Sequence, residues 1–215
     1  MKPQSILVLA IVVVLLSSVS YAGMYVVDTG EPTTSSGMVI GTNTPPADPG
    51  QVISLEFLLL SPTEITAIYP HLGRLEEGLN LDIYLTTEIG ETATSSDVIA
   101  NWTIWGIPGS DSFSGIWYPI ELTTPLSLPS GSYYLTYVTG TDEHVVIRWD
   151  APVEHGRDFW ASGNEIFPPA SSFNETTKNF ALRIEGTVVP TPTAVTLSIL
   201  GLSTAGWKLR KKTKE

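Results

Sequence analysis

Leu79, Leu81, Ile83 and Leu85 stand at alternate positions, with Asn80, Asp82, Tyr84 and Thr86 between or beside them. This pattern is what most constrains the fold. Side chains of an extended strand point alternately to opposite faces, so such a segment has an apolar face that must be covered and a polar face that can meet water. Leu55, Phe57 and Leu59, set against Ser54, Glu56 and Leu58, repeat the alternation. Further strands are predicted over Ile65 to Leu72, Val98 to Trp105, Ile116 to Leu122, Ser132 to Thr139, Val145 to Trp149 and Phe180 to Val188. Turn-forming residues separate them at Ser61-Pro62, Gly73, Glu88 to Ser96, Pro108-Gly109, Pro125 to Gly131 and Gly140 to Glu143. No stretch of useful length carries the spacing of an amphipathic helix. The expected fold is therefore all-β, an antiparallel β-sandwich or jelly roll rather than a set of βαβ units. With no cysteine in the chain, a packed core has to hold it together without disulfides.

The two ends have a different character. Lys2 precedes an 11-residue apolar run, Ile6 to Leu16, and small residues lead to Ser20-Tyr21-Ala22, the layout of a secretory signal peptide cleaved between Ala22 and Gly23. At the other end, Pro190-Thr191-Pro192 is followed by 14 uncharged residues, Ala194 to Trp207, and then by Lys208, Arg210, Lys211, Lys212 and Lys214. As a helix the uncharged run reaches about 21 Å, short of a hydrocarbon core about 30 Å thick. Trp207 suits the headgroup level and the cations suit the cytoplasmic side. The expected organisation is a signal-peptide helix over 1–22, a β-sandwich over 23–187, and a tail over 188–215 with an anchor helix at 194–207 and a basic end at 208–214.

Charge separates these parts as well. Between Gly23 and Trp207 there are 21 Asp and Glu against 5 Lys and Arg, a net charge of −16, whereas the last eight residues carry +4. So acidic a body repels phosphates, and nucleic acid is excluded as a partner.

Pro-x-Pro, a short apolar helix rich in Leu, Gly and Ala, and a terminal Arg/Lys cluster together resemble the PEP-CTERM sorting signal of bacterial exported proteins. The resemblance covers roughly the last 27 residues, with Thr191 where family members usually carry Glu. It implies an exosortase-like sorting protease as a partner. Val27-Asp28-Thr29-Gly30, Asp82-Ile83-Tyr84, Leu126 to Tyr134 and Phe180 to Gly186 are similar to the choice-of-anchor β-sandwich domains that sit ahead of such tails. That second resemblance implies a fold and a surface location, and carries no catalytic residues.

Within the sandwich, candidates for chemistry are few. His71, His144 and His155 have no second histidine at metal-ligand spacing, and they read as polar residues of loops or strand ends. Asp142 and Glu143, with Asp158 further on, are oxygen donors of the type Ca²⁺ uses, although without EF-hand spacing they read as a solvated acidic loop. No Gly-x-Ser-x-Gly elbow is present, and nothing selects a carboxylate pair for glycoside hydrolysis. Trp149 is in phase with Val145 and Ile147 and reads as core. Trp117 is out of phase with its apolar neighbours, and Trp160 lies in Ala151 to Asn179, read as the longest irregular connection; both are candidates for stacking a sugar ring, although Phe159, Ile166 and Phe167 near Trp160 favour a plug that seals the end of the sandwich.

The function expected is that of an exported protein without catalytic activity, anchored in the cell envelope by its C-terminal helix or displayed at the surface and in the extracellular matrix. An exopolysaccharide-binding module, with Trp117 and Trp160 on one face, is the alternative. A glycoside or ester hydrolase is a third reading, and no cofactor is expected apart from Ca²⁺ at the acidic residues.

Overall fold

A computed structural model describes residues 24–34, 36–41, 51–74, 80–105, 115–139, 145–162 and 172–190. Within them the chain forms strands β1 (Tyr25–Asp28), β2 (Gly37–Ile40), β3 (Gln51–Leu59), β4 (Thr63–Arg74), β5 (Asn80–Thr86), β6 (Val98–Trp105), β7 (Ile116–Trp117), β8 (Ile120–Leu128), β9 (Gly131–Thr139), β10 (Val145–Arg148), β11 (Asp158–Ser162), β12 (Asn174–Thr176) and β13 (Leu182–Val188). Apart from a 3-10 turn at Ser95–Asp97, no helix occurs among the described residues. The expected leader helix with its Ala22-Gly23 cleavage site, Asp142 and Glu143, and the tail from Thr191 through Pro192, Trp207, Lys208, Arg210, Lys211 and Lys212 lie outside them.

The strands make two sheets, and every described pairing is antiparallel. The first sheet runs β1-β13-β4-β10-β2, with β7 and β8 also paired to β4; the second runs β12-β11-β3-β9-β5-β6. The long strand β4 organises the first sheet, because it pairs in turn with β13 and β10 and also with β8 and β7. Near one corner the sheets are stitched together by reciprocal backbone bonds between Gly41 and Gln51 (3.1 and 3.2 Å).

The alternation explains the core. Leu55, Phe57, Leu59, Leu81, Ile83, Leu85, Leu135 and Tyr137 from the second sheet meet Ile65, Ile68, Leu72, Val145, Ile147, Leu182 and Ile184 from the first in one buried cluster. Each fully buried aliphatic side chain contributes about 1.5–3 kcal/mol, and this core stands where a cysteine-free chain has no disulfide. Thr86, expected on the polar face, is also buried.

Four segments differ from expectation, each for a local reason. The strand predicted over Ile116 to Leu122 is broken after Trp117, and its second half continues through the predicted turn to Leu128. The strand accommodates Pro125 because β8 pairs only with β4 and its register skips from Glu121 to Leu126; an edge position and a bulge are where a missing donor is tolerated. The segment from Ala151 to Asn179 holds two strands, β11 and β12. Gly156, just before β11, lets the chain come close to β3, since a Cβ there would lie 2.3 Å from the Glu56 carbonyl oxygen. Finally, β3 is buried on both faces up to Phe57, because Ser54 and Thr136 share a hydrogen bond (2.9 Å) and Arg157 bonds Glu56.

Candidate functional site

The densest group of polar and aromatic side chains lies on the outer face of the first sheet. Because β4 buries Ile68 and Leu72 inward, Tyr69 and His71 project outward. Antiparallel register then places Arg183 opposite Tyr69, Asp28 opposite Arg183, and Trp117 opposite His71. Over this row runs the connection from β1 to β2. It is held by Thr29, whose N–H and hydroxyl both donate to the Leu182 carbonyl (3.1 Å each), and by Thr33 and Thr34, which bond Asp150. Asp150 itself has a left-handed backbone (φ 61°), a conformation that Asp tolerates better than most residues.

Arg183 is the hub. Its guanidinium lies 4.0 Å from the centroid of Trp117 and 5.4 Å from that of Tyr25, while Nε donates to Asp28 (2.9 Å) and Nη1 stands 3.4 Å from Glu31. Glu31 in turn accepts from Trp117 Nε1 (2.7 Å). Burial pushes the Asp28 carboxyl up, but the Arg183 hydrogen bond and the Gly30 N–H outweigh it and leave the pKa below its usual value. Tyr69 donates to Glu185 (3.0 Å), and burial together with that carboxylate raises its pKa to about 12.

His71 packs edge-on against Trp117, with centroids 4.8 Å apart, and is 7% exposed. Burial lowers its pKa to about 4, Arg148 and Arg183 oppose a positive charge there, and only Glu31 favours one. At neutral pH the ring is therefore neutral, and its 3.8 Å approach to Glu31 is not an ion pair. Arg148, 3% exposed, donates through Nη2 to the Thr34 carbonyl, while its Nε and Nη1 have no hydrogen-bond partner among the described residues.

A second group lies inside the sandwich. Asp158 is opposite Leu55 and so faces inward, 3% exposed. Its Oδ2 accepts from the Phe180 N–H (2.8 Å), and Oδ1 lies 3.2 Å from Nε2 of His155, whose side chain is 2% exposed. Asn179 settles the histidine tautomer. Its Nδ2 donates to the carbonyls of Ala151 (2.6 Å) and Val153 (2.9 Å), so its Oδ1 must accept from His155 Nδ1 (3.0 Å). Nδ1 thus carries a hydrogen, and Nε2 stands 3.2 Å from Asp158 Oδ1, neither atom making a well-formed hydrogen bond among the described residues. Burial raises the Asp158 pKa against the lowering influence of His155 and the Phe180 N–H.

His71 and His155 are accordingly buried groups rather than polar loop residues, and His144 lies outside the described residues. Asp158 does not belong to a solvated acidic loop, and among the described residues no three of His, Asp and Glu are grouped so as to hold a metal ion. Trp160 lies on a strand, not in a loop. It pairs with Ile53 and Asn174, is half-buried, and packs against the main core. Trp117 is half-buried on the other sheet, so the two tryptophans do not share a face. Trp149 is half-buried as well, packed on Phe180 with the Lys178 ammonium 4.2 Å from its ring centroid. Pro190 is exposed beyond the last strand. Arg183, Glu31 and Asn179 were not singled out by sequence reasoning; the alternation Arg183-Ile184-Glu185 in a strand was the only available signal.

No protein-family model, curated protein or solved structure matches this chain.

Proposed function

We propose that this protein is an exported, non-catalytic β-sandwich module carried to the cell envelope by its C-terminal segment and displayed at the surface or in the surrounding matrix. The observation that carries the reading is how the last described strand closes. Strand β13 stays paired to β4 through Val188, Val189 donates to the Pro62 carbonyl (2.8 Å), and Pro190 follows exposed and without an N–H to extend the ladder. The last described strand closes where the Pro-x-Pro begins, which supports reading cargo and tail as separable pieces. The non-catalytic part is supported by the state of the polar groups: Arg183, Asp28 and Glu31 hold one another, and His71 and His155 are turned away from solvent.

Deleting residues 190–215 should release the module into the medium with its fold intact. Retention of the truncated protein in the membrane fraction, with residues 1–22 removed, would overturn the proposal.

A further inference from the structure

One end of the sandwich gathers most of its uncovered apolar side chains. The register brings together the β3–β4 turn (Leu60-Ser61-Pro62), the β8–β9 turn (Pro129-Ser130), the last residues of β13 and the start of β1. Leu59 pairs with Gly131, Thr63 pairs with both Leu128 and Val188, and the Gly186 N–H donates to the Met24 carbonyl (3.2 Å). Of the nine large apolar residues exposed among the described residues, Met24, Leu58, Leu60, Val188 and Val189 lie here, and Leu60 at the turn is 85% exposed. No residue of Phe57 to Thr63, Leu122 to Tyr133 or Gly186 to Pro190 is charged, although the body carries a net charge of −16 between Gly23 and Trp207. The nearest carboxylates are set back or aside. Glu64 lies opposite Ser127 and Thr187, Glu185 accepts from Tyr69, and Glu88 and Glu91 follow β5, two strands across from β3.

On the reading of the C-terminal segment proposed above, we infer that this end is the face the module presents to the lipid bilayer, with Leu60, Val188 and Val189 at headgroup level. Chain length selects the occupant. The last described residue is Pro190, and only Thr191, Pro192 and Thr193 separate it from the uncharged run 194–207. As a helix that run reaches about 21 Å, about 9 Å short of a hydrocarbon core about 30 Å thick. Three extended residues reach about 10 Å, which covers the shortfall and brings Pro190 to the boundary of the core. The headgroup layer beyond it is only about 5–7 Å deep, so the end of the sandwich cannot stand clear of the lipid. Charge favours the same orientation. No charged residue lies between Glu185 and Lys208, so the end of β13 enters the interface without desolvating an ion. A tilt onto the outer face of the first sheet would instead press the exposed Asp28, Glu31 and Glu121 toward the lipid.

The test uses the full chain reconstituted into phosphatidylcholine vesicles. Because the chain has no cysteine, Leu60→Cys and, as a second site, Leu58→Cys each take one nitrobenzoxadiazole label at an exposed position. Trp105→Cys, exposed at the far end of β6, takes the same label as a reference. On vesicles the Leu60 label should shift its emission to the blue and be quenched by lipid that carries a spin label near the headgroup. Its quenching by aqueous iodide should fall severalfold below that of the Trp105 label, which should show neither of the other changes. Flotation separates the two readings. A chain that does not float with the vesicles overturns the anchor and this inference with it. A chain that floats, but whose Leu60 and Leu58 labels are quenched by iodide as fully as the Trp105 label, leaves the anchor standing and overturns the inference alone. So does shielding from iodide without quenching by the spin-labelled lipid, an outcome that puts protein rather than lipid over this end.

Discussion

His71 gives the sharpest quantitative expectation. Its pKa falls from 6.5 in the unfolded chain to about 4 in the fold, chiefly through burial. Between those values the unfolded state binds a proton that the folded state does not, so stability is fully present above pH 6.5 and declines as pH falls toward 4. Moving from pH 7 to pH 4.5, this one ring should cost about 2 kcal/mol. The groups around it are Glu31, Arg148, Arg183 and Trp117, and only Glu31 would welcome the charge. Asp158 acts in the opposite direction: its raised pKa favours the folded state as pH falls, so wild-type stability alone does not isolate the histidine. His71→Phe does. Phe keeps the edge-on contact with Trp117, and Nδ1 has no hydrogen bond to lose. Urea unfolding followed by tryptophan fluorescence should show the Phe variant within about 1 kcal/mol of wild type at pH 7, and more stable than wild type by about 2 kcal/mol, relative to that offset, at pH 4.5. An unchanged difference between the two pH values, or an imidazole resonance of His71 that titrates above pH 6, would refute the burial argument.

Two further substitutions test the interior. Asp158→Asn should be nearly neutral or stabilising in thermal unfolding at pH 7, because the amide can donate to His155 Nε2 and still accept from the Phe180 N–H. Asp158→Ala strands both groups and should cost about 2–4 kcal/mol, so equal losses in the two variants would contradict the assigned tautomer. Trp160→Ala, at a half-buried position against the core, should lose about 2–3 kcal/mol; an unchanged melting temperature would instead mark the indole as a solvent-facing platform.

The sheets were legible because their information is local. Where one face of a strand is buried, as at Leu81, Ile83 and Leu85, alternation alone assigns inside and outside. The same logic failed on β3, where Glu56 and Ser54 are buried although polar, because their covers, Arg157 and Thr136, come from strands or loops 101 and 82 residues away in sequence. It failed again at Pro125 and at Asp158–Ser162. A proline and a run of Gly and Pro neighbours read as breakers, but an edge with a bulge, or a glycine allowing one close backbone approach, lets the ladder continue.

The polar clusters were hidden for a related reason. Arg183, Glu31 and Trp117 are separated by 66 to 152 residues in the chain, and only the register of β13, β4 and β7 brings them to one face. Phase did mark Trp117, since an aromatic out of step with its apolar neighbours has to find cover outside the core; Arg183 and the β1–β2 connection supply that cover. Around Trp160 the local signals are split, polar Arg157, Asp158, Asn164 and Glu165 against apolar Phe159, Ile166 and Phe167, and only the pairing with Ile53 on a strand rather than in a loop turns it inward. His155 and Asn179 show the limit of the approach. Nothing in either local sequence indicates a partner, and the role of each follows only from two backbone carbonyls, Ala151 and Val153, that orient one amide and thereby one imidazole. A cluster whose meaning lies in register cannot be read until the strands are paired.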